Sequence, residues 1–110
     1  MSLRRVIVIY ANPLFRDSVL MLLRHPEVEC VEVIHSDEVV AEQISSMELD
    51  TILVEETEGH VSNEVMSVFE GPGFRGRLVS FSMDDNKLRV YQREEWAAIQ
   101  ADDLLHLILS

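Results

Sequence analysis

Hydrophobic and polar positions follow two rhythms along these 110 residues. Val6-Ile7-Val8-Ile9 is an unbroken β-branched run, the pattern of a strand buried on both faces. Asn12-Pro13 follows, offering an N-cap side chain and a proline at the first helical position. The next segment predicts a helix that stops before Pro26, with Phe15, Val19, Leu22 and Leu23 on its core face. A second strand is expected over about residues 28–34. Ser36-Asp37-Glu38 then supplies an N-cap and two first-turn acids for a helix carrying Val40, Ile44 and Met47. Thr51-Ile52-Leu53-Val54 reads as a third buried strand. A charged loop, residues 55–60, leads to a helix with Val61, Val65 and Val68 on one face, and the Gly71-Pro72-Gly73 loop through Gly76 ends it.

This βαβαβα order calls for a parallel sheet with right-handed crossovers. The last third departs from it. Residues 78–83 read as a strand, Asp84-Asp85-Asn86 as a turn, and residues 87–93 alternate with period two. No helix fits between the two runs, whereas a β-hairpin does. The alternation puts Leu88 and Val90 on one face and Lys87, Arg89 and Arg93 on the other, as in an antiparallel edge strand covered on one side. Residues 95–99 add a short extended piece. Ala101-Asp102-Asp103 opens a final helix over 104–109, where five of six residues are Leu or Ile. That is more apolar surface than one stripe needs, so Leu104, Leu107 and Ile108 are assigned to the sheet and Leu105 and Leu109 to the outside. Beside an edge strand, such a patch marks a protein-interaction surface, made up of Leu88, Val90, Tyr91, Leu105 and Leu109.

Composition narrows the function. Nine basic residues against twenty acidic ones give a formal charge of −11. That disfavours nucleic acid, which needs a basic patch, and anionic membrane surfaces. The length fits one domain, 1–110. The lone cysteine, Cys30, excludes an intramolecular disulfide framework and lies in an apolar run, so it reads as a small buried hydrophobe. The opening lacks the long apolar stretch of a signal peptide, and no run approaches the ~20 residues of a membrane span. A cytoplasmic protein is expected.

The first strand–helix junction, Val8-Ile9-Tyr10-Ala11-Asn12-Pro13-Leu14-Phe15-Arg16, resembles the opening of receiver domains of two-component response regulators, where a strand runs into D-D-x-P-x-x-R. Asp50-Thr51-Ile52-Leu53-Val54-Glu55 is similar to their D-x-x-x-x-D segment, whose last Asp accepts the phosphoryl group. Ser82 stands where those domains carry a Ser or Thr that contacts the phosphoryl oxygen. The resemblance covers about residues 4–83. It implies a flavodoxin-like, receiver-like α/β fold: a three-layer α/β/α sandwich around a five-stranded, mainly parallel sheet of order 2-1-3-4-5. Here the fourth helix would be replaced by the hairpin.

The family's chemistry is mostly missing. Receivers hold Mg²⁺ with an acidic pair at positions that are Tyr10 and Ala11 here, and neither supplies a carboxylate oxygen. The acceptor position holds Glu55, one methylene longer than Asp, which displaces its oxygen from in-line geometry. The family's lysine has no counterpart, since Arg93 lies in the hairpin. The resemblance therefore implies a degenerate phosphorylation pocket of Tyr10, Ala11, Asn12, Glu55 and Ser82, with no catalytic residue, metal or cofactor. The expected function is that of a pseudo-receiver. Such a chain is a phosphorylation-independent signalling or adaptor module, not an enzyme, acting through a protein partner, a second copy of itself first of all.

Other readings compete. Glu55 either stands in for phospho-aspartate or is a solvated carboxylate at the mouth of the pocket, the latter preferred. Glu55, Glu56, Glu58, His60, Asp84 and Asp85 either form a cation site or line a solvated loop, again the latter. No sequence logic pairs Ser82 with any of His25, His35, His60 or His106. Gly71 to Gly76 precedes a strand, so it is a turn and not a phosphate cradle. Trp96 and Tyr91 read as core or interface fillers. The alternative function is a small ligand-binding or enzymatic domain using a carboxyl-edge pocket around Asn12, Glu55 and Ser82.

Overall fold

The structure, a computed structural model, describes residues 3–84, 87–92, 95–100 and 104–109. Strand β1 (Arg4–Tyr10) leads into helix α1 (Pro13–Leu22), and β2 (Val28–His35) follows. A 3-10 turn (Ser36–Glu38) and the short α2 (Ala41–Ser45) precede β3 (Thr51–Glu55), and α3 (Asn63–Glu70) leads to β4 (Arg77–Ser82). The chain closes with β5 (Lys87–Gln92), β6 (Glu95–Gln100) and α4 (Leu104–Leu109).

These strands form one six-stranded sheet, ordered β2-β1-β3-β4-β5-β6. The first four are mutually parallel, whereas β4–β5 and β5–β6 are antiparallel. The fold is thus α/β with a mixed, mostly parallel sheet. It has one strand more than the sequence led us to expect. Residues 95–100 pair along the whole of β5, so the 87–93 segment is an interior strand and not an edge. The expected turn residues Asp85 and Asn86, then Arg93, and Ala101-Asp102-Asp103 before α4 lie outside the described residues.

The sheet separates two cores. One face carries Val6, Val8, Leu53, Val79, Leu88 and Val90 against Phe15, Val19 and Leu23 at α1 and Leu104 and Ile108 of α4. The other carries Ile7, Ile9, Ile52, Val54 and Leu78 against Ile44, Val65, Val68 and Phe69 of α2 and α3. Consecutive residues of β1 and β3 alternate between the two clusters, which explains their unbroken apolar runs. The β1→β2 step moves one way along the sheet, and the next two move the other way. Crossovers of one hand must then place α1 opposite α2 and α3, as found.

Asn12 caps α1 as expected, its Oδ1 accepting from the Leu14 N–H at 2.9 Å. Three sequence expectations are corrected. Leu22, assigned to the core face, is 45% exposed. The acids at 37–38 sit in the 3-10 turn, capped by His35 Nδ1, and Val39 and Val40 then run extended, so Val40 lies outside the helix and exposed. Two adjacent β-branched residues resist the helical χ1 restriction and break what the spacing suggested was one helix. Cys30 is exposed on edge strand β2 and not buried. Its thiol is partly shielded all the same, and that desolvation raises its pKa.

Candidate functional site

The carboxyl ends of β1 and β3 bring Glu55 to the loop that opens α1. Glu55 is only 8% exposed, and its Oε1 accepts from the backbone N–H groups of both Ala11 and Asn12 at 2.9 Å. The carboxylate thus sits on donors next to a helix N-terminus, where the backbone favours negative charge. This corrects the solvated-carboxylate reading. It also disfavours the phospho-aspartate stand-in, because the charge is turned inward onto the chain's own amides.

Tyr10, the last residue of β1, directly precedes these amides and turns its ring toward β2 and α1. Its ring meets the His35 ring edge-on at 5.3 Å between centroids, and the Arg16 guanidinium carbon lies 5.2 Å from the ring centroid. Arg16 also bonds Asp17 at 3.1 Å, and that bond, followed by the one to Tyr10, holds its pKa above the ordinary value. Ala11 adds no side-chain ligand, and Asn12 is committed to the cap. Ser82 is buried, but Glu55 pairs in register with Phe81. Strand alternation therefore turns Ser82 to the opposite face of the sheet. The five residues assigned to one degenerate pocket do not converge: Tyr10, Ala11, Asn12 and Glu55 share one corner, while Ser82 belongs to the other side.

The expected interface residues divide similarly. Leu88 and Val90 are buried in the chain's own core, at 0% and 6% exposure, because β5 is interior and its alternating face is covered by α1 and α4. They are not an intermolecular surface. Tyr91 packs on the opposite core beside Phe69, with ring centroids 6.4 Å apart. Leu105 and Leu109 remain half-buried on α4.

Sequence reasoning missed a second polar cluster. Glu56, the residue after β3, has a side chain 5% exposed. Its Oε2 accepts from Ser80 Oγ at 2.7 Å and from Arg89 Nη1 at 2.8 Å. Its backbone N–H donates to the Phe81 carbonyl at 2.8 Å. The sequence places Arg89 on the uncovered face of an edge strand, whereas it forms an ion pair with the buried Glu56 carboxylate. Beside this pair a polar cavity of about 340 Å³ is walled by His60, Met66 and Tyr91. The only sequence signal was the alternation that puts Arg89 on the face opposite Leu88, and nothing local named Glu56 as its partner.

Among the described residues no three His, Cys, Asp or Glu side chains gather as metal ligands. No helix among the described residues is long and apolar enough to cross a membrane. The chain matches no family model, no curated protein and no solved structure.

Proposed function

We propose that this chain is a cytoplasmic pseudo-receiver. It is a signalling or adaptor module that keeps a flavodoxin-like frame, does not take a phosphoryl group, and works through protein contacts, including contacts with a second copy. The strand order from β2 to β4 and the helices on both faces support the frame. The observation that carries the functional reading is the Glu55 lock. At the position that the resemblance gives to the phosphoacceptor, Oε1 of the carboxylate takes two backbone N–H bonds, which hold the group against the chain and weaken it as a nucleophile. The positions that would bring Mg²⁺ hold a phenol and a methyl group, neither a hard anionic ligand.

The rival reading, a ligand or enzyme site at Asn12, Glu55 and Ser82, is weakened by the same geometry. Two of those residues are engaged within the chain, and the third faces away. Incubation with acetyl phosphate and Mg²⁺, followed by intact-mass analysis, tests the proposal. The expected spectrum is unmodified protein. A species heavier by one phosphoryl group, lost in the Glu55→Gln variant, would sink the reading.

A further inference from the structure

We propose that the α1–α4 side of the sheet holds a binding site for a small apolar molecule, an aromatic ring or short alkyl chain. A cavity of about 210 Å³ lies there, between α1, α4, the strands β3 and β4 toward their carboxyl ends, and the amino end of β5. Phe15, Leu88 and Leu104 form its floor, each at most 2% exposed. Ser18, Leu22 and Met83 line it from exposed positions and form its mouth.

Three observations point to an occupant of this chemistry. The space opens to solvent between exposed residues while its base is fully buried and apolar, so an apolar occupant would take that surface out of contact with water. A dry apolar cavity of about 150 Å³ is known to take benzene or xenon. The larger volume here admits a ring with a short substituent. Apart from the Ser18 hydroxyl every lining side chain is apolar, so water inside would lack the two to four polar partners it needs. Leu22 falls on the helix stripe that faces the core, yet stands 45% exposed at the mouth of the space. This site is separate from the Glu55 lock, so its failure would leave the pseudo-receiver reading untouched.

Titration of ¹⁵N-labelled protein with benzene and with n-butylbenzene, read by amide shifts and by melting temperature, tests the site. We expect saturable shifts clustered at Phe15, Leu22, Leu88 and Leu104, and a melting temperature that rises with ligand concentration. Ser18→Leu and Leu22→Trp place bulk at the mouth from exposed positions that the fold tolerates. Each is expected to weaken binding at least about tenfold while leaving the unliganded melting temperature close to wild type. Absence of saturable shifts with both probes up to their solubility overturns the proposal. So does binding that both folded variants retain in full.

Discussion

At the scale of single residues, the decisive group is the Glu55 carboxylate. A hydrogen bond to a charged acceptor contributes more than a neutral one, and here two backbone donors share one buried oxygen. Glu55→Ala removes the acceptor and leaves two amides without a partner, and should cost about 2–3 kcal/mol in urea unfolding. Glu55→Gln keeps a carbonyl oxygen of the same reach and should cost about half as much. Equal losses in the two variants would mean that the oxygen does not carry the stability. Arg89 teaches the converse. A basic residue in an alternating strand invites the reading of a solvated charge, and the surface ion pairs Arg5–Glu29 and Arg16–Asp17 contribute little. Glu56 is different because its side chain is almost fully removed from water, and Arg89 and Ser80 take the place of the water partners it gives up. The existence of both residues was visible in the sequence. Their pairing was not, because the partners are 33 residues apart and meet only through sheet register.

At the scale of elements, the strongest local signals proved reliable. The Asn12-Pro13 cap starts α1 where it should, and the β-branched runs became the central strands β1 and β3. The weaker signals failed where local chemistry competed with spacing, as at Val39-Val40. They also failed where pairing was settled by a later strand, as at β5. The β3–α3 loop shows such local chemistry. Thr57 and His60 exchange backbone hydrogen bonds across Glu58 and Gly59, which both have positive φ, 55° and 84°. This is the conformation of a tight hairpin turn that favours Asn-Gly. Glu58→Asn should therefore raise stability by about 1 kcal/mol, seen as a higher denaturation midpoint, and a lower midpoint would contradict the turn assignment. Gly76 is fixed by the opposite constraint: a Cβ there would run into the Asp50 carbonyl at the start of β3. Gly76→Ala should cost about 1–3 kcal/mol in the same measurement, and an unchanged midpoint would contradict that close approach.

At the scale of the whole molecule, α4 closes the α1 side of the sheet and is tied to its amino edge. Arg77 Nη1 donates to the Leu107 carbonyl at 2.9 Å and Arg4 Nη2 to the Leu109 carbonyl at 3.3 Å, where a helix C-terminus favours cations. Leu104 and Ile108 are consumed in the core by this docking, which leaves Leu105 and Leu109 as the part of the leucine-rich stretch open to a partner. If that pair mediates self-association, light scattering after size exclusion should give a dimer mass for wild type and a monomer mass for Leu105→Asp/Leu109→Asp. A wild-type monomer at high concentration would remove self-contact from the proposed function. The overall order of strands was legible early because parallel βαβ units leave few topologies open. The number of strands was not, because residues 95–100 carry no charge alternation or turn signal of comparable strength.

In the proposed reading, the chain's own Glu55 closes the corner where the resemblance would put a divalent ion. Titration of ¹⁵N-labelled protein with millimolar Mg²⁺ probes that corner directly. The amide signals of Ala11, Asn12 and Glu55 should stay where they are. Saturable movement of those three signals would contradict that reading.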